Sequence, residues 1–178
     1  MADASFHGVE LELVQGDITR QPDMDAVVNA ANAQLRTGGG VAGAIHRAAG
    51  PGLAQEAAPY APIAPGEAVM TGGHNLPNAK VIHCLGPVYG QDEPAHELLA
   101  SCYRRALELA DQDGLTSVAF PAISTGAFGY PLREAASVAL KTVEDAASSL
   151  SSVKRVRFVL FGAQDLEGFQ AALQEARG

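Results

Sequence analysis

VVNAANAQLRTGGGVAGAIHRAAG, residues 27–50, is the stretch on which the fold turns. An apolar β run (Val27, Val28) breaks into two asparagines, Asn29 and Asn32, then into Gly38, Gly39 and Gly40, and then into Val41–Ala49, which is spaced and composed as a helix. The three glycines can take positive φ and let a ligand approach bare backbone. The unpaired first-turn N–H groups of the helix, at its positive dipole end, face the same place. The segment therefore reads as a cradle for phosphate and ribose, with a glycine-rich turn that binds nothing as the alternative.

Two better-known phosphate motifs do not fit. Gly38, Gly40 and Gly43 satisfy G-x-G-x-x-G only formally, because residues 30–37 separate them from the strand. The region around Tyr60 also holds Pro59, Pro62 and Pro65, and no strand ending in an acid. A Walker loop would need Lys-Ser or Lys-Thr after the glycines, and neither is present.

Upstream, Val9–Gln15 alternates Val9, Leu11 and Leu13 with Glu10 and Glu12, the pattern of a half-exposed strand near an edge. Gly16-Asp17-Ile18-Thr19 ends it and leaves a carboxylate that can serve an Asx turn or a ligand. Asp25–Ala30 is apolar on both faces and hence a central strand. Downstream, Pro51–Gly66 reads as loop with a broken helix, followed by strands at Ala68–Thr71 and Lys80–Leu85. A helix runs from Pro94 to Gln112, with Asp92 and Glu93 before its positive end. The strand Thr116–Phe120 delivers a second glycine-bearing loop, Pro121–Tyr130, and Pro131 opens a helix to Ser149. Arg155–Phe161 is the last strand, and Asp165 is expected to cap a C-terminal helix reaching Glu175.

Composition narrows the function classes. The 178 residues, 47% apolar, suit one domain over residues 1–178. The start, Met1–Gly8, has neither a basic nor an apolar run, so no signal peptide is expected. No apolar segment approaches membrane-spanning length. Cys84 and Cys102 suit buried reduced thiols, and a cytoplasmic location is expected. The spacing of His74, His83, His96 and the cysteines matches no metal site. A net charge of -8 disfavours bulk nucleic-acid binding, so an anionic ligand must be held by helix ends and glycine nests.

Strands alternating with helices imply a largely parallel sheet covered on both faces, with ligands at the carboxyl ends of the strands. Gly16–Thr19, the Asn29–Asn32 segment, the Ser124–Phe128 loop and Phe161-Gly162 each follow such an end. If the strands are parallel, all four converge on one rim and outline a site for adenine, pyrophosphate and ribose. Ser124 lacks the G-x-S-x-G elbow of a nucleophile and reads as a phosphate-loop hydroxyl.

Several motifs in this order resemble the macrodomain family of ADP-ribose-binding modules, most nearly its bacterial MacroD-type branch. They are GDIT at 16–19, VVNAAN at 27–32, the GGGV and GAIHRAAG segments within 38–50, HCLGPVY at 83–89 and AFPAISTGAFGYP at 119–131. The resemblance covers residues 9–170. It implies a three-layer α/β/α sandwich with a mixed, mostly parallel six-stranded sheet. It also implies that Asp17 accepts from the adenine amino group beside the Ile18 backbone, and that Phe161 packs on adenine. Gly38, Gly39, Gly40 and Val41, with Ser124, Thr125, Gly126 and Ala127, would enclose the diphosphate. Asn32 would bind the distal ribose and, in hydrolytic members, help place water, while Phe128 shapes that ribose pocket. Asn29 is assigned to holding the loop together.

One position departs from the MacroD pattern: Ala42 stands where those hydrolases carry a water-positioning aspartate. Other branches with GGGVA are reported as hydrolases, so catalysis remains one of two expectations. The first is a mono-ADP-ribosyl hydrolase acting on modified acidic side chains and on O-acetyl-ADP-ribose. The second is a module that reads ADP-ribose or ADP-ribosylated proteins without turnover. His46, one helical turn after Ala42, can assist in principle or simply pack. No cofactor, metal or membrane partner is expected, nor nucleic acid except at an ADP-ribosylated end, and the protein is expected to be a monomer.

Overall fold

The computed structural model describes residues 2–177. Seven strands form one sheet: β1 (Ala4–Phe6), β2 (Val9–Gln15), β3 (Ala26–Ala30), β4 (Ala68–Gly72), β5 (Lys80–Cys84), β6 (Ser117–Phe120) and β7 (Arg155–Leu160). Five helices accompany them: α1 (Gly40–Ala49), α2 (Gly52–Ala57), α3 (Ala95–Gln112), α4 (Leu132–Ala147) and α5 (Ala163–Arg177). The strand order is β1-β2-β7-β6-β3-β5-β4, with antiparallel pairs only at the edges, β1 with β2 and β4 with β5.

The strands' side chains divide with period two. Ala26, Val28, Val118, Phe120, Val156 and Phe158 pack in one core with α3, α4 and α5. Val27, Val81, Ala119 and Val159 pack in a second core with α1 and α2 through Ile45, Ala49 and Leu53. These are the three layers expected, with helices on both faces. The two central strands β3 and β6 are apolar on both faces because both faces are covered.

The expected count of six strands is corrected to seven. β1 has three residues and joins β2 through His7 and Gly8, both at positive φ (50° and 82°), which suits a two-residue hairpin turn. A three-residue run carries too little periodicity to be seen in a sequence. The Pro51–Gly66 region holds α2 and a single 3-10 turn, Ala58–Tyr60. Asp165 lies within the first turn of α5, which begins at Ala163, so it complements the dipole there and does not cap. Asp92 likewise turns back to accept from the Val88 N–H at 2.8 Å. Cys84 and Cys102 are free and buried.

The core reaches directly into the loop after β6. Tyr103 of α3 meets Phe120 edge-on at 5.1 Å and Phe158 at 5.8 Å, and Phe158 continues the cluster to Phe169 of α5. The fully buried Tyr103 hydroxyl accepts from the Ile123 N–H at 3.1 Å and donates to the Pro121 carbonyl at 3.4 Å. Tyr103→Phe keeps the ring but orphans a buried N–H, so a loss of about 1–3 kcal/mol is expected in urea unfolding. An unchanged midpoint would show that Ile123 finds another acceptor and that the ring alone anchors this loop.

Candidate functional site

Four adjacent parallel strands, β2, β7, β6 and β3, bring the four expected segments to one rim. The last β2–β7 ladder bond runs from the Gly16 N–H to the Leu160 carbonyl at 2.9 Å, so Asp17 and Phe161 leave neighbouring strands side by side. Phe161 stands 88% exposed, the most exposed large apolar side chain among the described residues. An aromatic face left in solvent beside a carboxylate is available to a planar, amino-bearing ring.

Two clefts open along the rim. One, of about 520 Å³, is lined by Asp17, Ile18, Thr125 and Phe161, and by Arg47 and Asp165. The other, of about 350 Å³, is lined by Asn32, Gly38, Gly39, Ala42, Ser124, Ala127 and Phe128. Gly40, Val41, Ala122 and Gly126 line both, so the clefts are continuous across the start of α1. Every site residue expected from sequence lines one of the two. A further groove of about 540 Å³ lies along α3 and α4, away from these loops.

The junction is rich in backbone donors. Helix α1 has no side-chain cap and no acid in its first turn, and its first intrahelical bond is Gly43 N–H to Gly39 carbonyl. The N–H groups of Gly40, Val41 and Ala42 therefore have no acceptor among the described residues. Those of Gly126, Ala127 and Phe128 have none either. Two sets of free N–H groups facing one gap suit an anion in a protein of negative net charge. Of the three glycines only Gly40 takes positive φ (55°), which corrects the expectation for Gly38 and Gly39. Gly43 is required by contact: a Cβ there would stand 2.3 Å from the Gly38 carbonyl oxygen. Gly86 is similar, since its Cβ would meet Ser124 Oγ at 2.1 Å.

Asp17 closes the Asx turn and also lines the larger cleft. Its Oδ1 accepts from the Thr19 N–H at 2.9 Å and the Thr19 hydroxyl at 2.7 Å, closing an Asx turn, while Oδ2 lies 3.7 Å from Arg20. Hydrogen bonds from the Thr19 hydroxyl and N–H hold this carboxyl below the usual range, so one oxygen remains a charged acceptor toward the cleft. Ile18 buries its side chain in the second core and lines the larger cleft. Asn32 turns its amide onto its own loop: Nδ2 donates to the Arg36 carbonyl at 2.8 Å and Oδ1 accepts from the Arg36 N–H at 3.0 Å. Ser124 sits at φ 68°, its buried hydroxyl without a partner. Arg47 was not foreseen, although it falls seven residues after Gly40 on the same helix face; among the described residues it is the only cation lining either cleft.

Behind the smaller cleft lies a buried polar cluster. Asn29 Nδ2 is 3.1 Å from His83 Nδ1, and His83 Nε2 is 3.0 Å from the Thr71 hydroxyl. Asn29 thus ties β3 to its neighbour β5, strand to strand, rather than holding the loop after β3 together as expected. His46 is buried 6.5 Å from His83 between ring centres, with Nε2 unpartnered, and it does not line the cleft beside Ala42. Burial lowers the pKa of His46. The same effect, with His46 adding to it, brings His83 to about 4. Among the described residues no group of three His, Cys, Asp or Glu is placed to hold a metal, and no helix is long and apolar enough to cross a membrane.

The sequence matches the family described as "Macro domain" over residues 28–139. It is 45% identical to a macro domain-containing protein of Chlorobaculum tepidum, over 93% of this chain and 96% of that protein. A Streptomyces coelicolor macro domain-containing protein is 47% identical over 92% of this chain and 98% of its own length. Among solved structures, the Oceanobacillus iheyensis macrodomain with ADP superposes with a TM-score of 0.92 and 41% identity, covering 98% of this chain and 95% of that one. The Trypanosoma brucei macrodomain in complex with ADP-ribose gives 0.85 and 36%, covering 92% and 68%.

The buried cluster sets a pH dependence. An unfolded histidine binds its proton near pH 6.5, whereas folded His83 holds out to about 4, so the unfolded state binds more protons between those values. Stability is expected to fall as pH drops through that window. An NMR titration should show the His83 ring neutral at pH 6; protonation near 6.5 would mean the ring is solvated.

Proposed function

The chain belongs to the macrodomain family, and from that premise we propose that it binds ADP-ribose and releases it from esters with acidic side chains. The observation that carries the binding half is the continuity of the two clefts across the α1 N-terminus. The larger cleft takes adenine, with Asp17 accepting from its amino group and Phe161 against its face. The diphosphate lies at the junction, on the N–H groups of Gly40 to Ala42 and Gly126 to Phe128, with Arg47 of the cleft lining adding a positive charge. The smaller cleft takes the distal ribose between Asn32 and Phe128. That one related macrodomain structure holds ADP and another ADP-ribose supports the choice of ligand.

The hydrolytic half follows from the chemistry of the bond. A carboxylate leaving group has a parent pKa of about 4, so departure needs no general acid. The site must hold the ribose, tolerate its developing positive charge and place a water. No titratable side chain lines the smaller cleft among the described residues, and Asn32 and Ser124 are its only polar side chains. We assign water placement to Asn32 together with the substrate's phosphate. O-Acetyl-ADP-ribose, also an ester, suits the same site. The absence of a carboxylate at Ala42 is the specific observation that favours the second reading, a reader of ADP-ribose or ADP-ribosylated proteins without turnover. Localisation to the cytoplasm and action as a monomer are part of the proposal.

Asp17→Ala is expected to weaken ADP-ribose binding in calorimetry by about 1–3 kcal/mol, the cost of a lost hydrogen bond to a charged acceptor. Unchanged affinity would place adenine elsewhere. Ala42→Asp adds a carboxylate in the first turn of α1 beside the ribose cleft. General-base placement is worth about 100-fold to 10,000-fold, and an unsupported graft gives less. Single-turnover release from an acidic-residue conjugate is expected to rise in Ala42→Asp and to fall in Asn32→Ala. Brisk wild-type turnover that Ala42→Asp does not accelerate would point to another way of placing water. No release from wild type, with tight binding intact, would establish the reader.

A further inference from the structure

Resting on the adenine reading above, we infer that Arg157 and Gln21, neither of which lines the cleft, are positioning residues that set adenine selectivity by fixing the Asp17–Ile18 peptide. Arg157 lies on β7, four residues before Phe161, and its side chain is only 11% exposed. Four of the five N–H donors of its guanidinium are engaged. Nε donates to Glu12 at 3.0 Å, Nη1 and Nη2 grip the two oxygens of Asp23 at 2.8 and 2.7 Å, and Nη1 also donates to Gln21 Oε1 at 2.9 Å.

That last bond decides which way the Gln21 amide faces, because only its oxygen can accept from a guanidinium. The amide nitrogen is thereby turned onto the Asp17 carbonyl, to which it donates at 2.9 Å. The same carbonyl accepts from the Arg20 N–H at 3.0 Å. Gln21 is also held by its own carbonyl, which accepts from buried Asn78 at 2.7 Å. The Asp17–Ile18 peptide is trans, so its C=O and N–H point in opposite directions. Holding the carbonyl down on Gln21 turns the Ile18 N–H away from it, and that N–H has no partner among the described residues. The loop therefore presents a fixed pair, one carboxylate acceptor and one N–H donor. Adenine offers the complementary pair, an amino donor beside a ring-nitrogen acceptor. Hypoxanthine offers the reverse.

The test compares affinities for ADP-ribose and for inosine diphosphate-ribose in wild type, Gln21→Met, Arg157→Lys and the double variant, with Asp17→Ala as control. Gln21→Met and Arg157→Lys should each weaken ADP-ribose by about threefold to tenfold. The inosine ligand should bind as before, so the selectivity ratio falls. The double variant should be no worse than the weaker single, because the two act in one chain. Without any ligand, amide exchange at residues 17–24 should quicken in both. Gln21→Met keeps all four ion pairs of the Arg155, Arg157, Glu12 and Asp23 group, so it decides the matter even if Arg157→Lys does not fold. The relay is overturned if both ligands weaken in parallel, or if Gln21→Met binds ADP-ribose normally while Asp17→Ala does not. If Asp17→Ala itself has no effect, the adenine reading fails and the relay falls with it.

Discussion

Parallel pairing of β2, β7, β6 and β3 is the constraint on which the rest of the structure depends. Strands that run the same way deliver their carboxyl ends to one rim, and the helix that follows the glycines delivers its N-terminus there too. Fastening the sheet from inside, the aromatic cluster of Tyr103, Phe120, Phe158 and Phe169 also grips the backbone of the loop after β6 through the Tyr103 hydroxyl. The same residues therefore hold the core and set where the loop's free N–H groups point.

The site answers the problem of an anionic protein offering room to an anion. Its donors are peptide N–H groups, whose partial charges are part of the backbone and do not titrate. Among the described residues Arg47 alone adds a full positive charge to the lining, and Asp17 keeps its negative charge in the larger cleft. The histidines that a sequence scan would offer as acid–base groups are elsewhere: burial holds His46 and His83 toward neutrality behind the smaller cleft. What chemistry the smaller cleft can support thus depends on geometry and on the ligand's own groups.

Ion pairs do for the corner over β2 and β7 what apolar packing does elsewhere. Arg155 and Arg157 reach Glu12 and Asp23, and hydrogen bonds from Arg157, then Arg155, hold the Asp23 carboxyl well below the usual range. Asp23 is half exposed, so the individual pairs add little to stability. Their larger effect is to pin residues 17–24 in one conformation, and that conformation carries Asp17.

The sequence by itself determined the layers, six of the seven strands and the gathering of Asp17, Asn32, Gly38–Ala42, Ser124–Phe128 and Phe161 at one rim. It could do so because period-two alternation, glycine placement and strand-to-loop order are local properties, and parallel topology converts them into a common edge. Only the tertiary structure decided the rest. That β1 adds to the edge depended on His7 adopting positive φ, which its residue type does not announce. Of the three glycines only Gly40 needed left-handed backbone; Gly43 and Gly86 matter through close approach to Gly38 and Ser124, contacts between residues with no sequence pattern linking them. Asn32 folding onto Arg36, His46 turning behind the cleft and Arg157 reaching Gln21 across 136 residues of chain are choices of side-chain direction. Such directions are set by neighbours that exist only once the sheet has brought distant segments together.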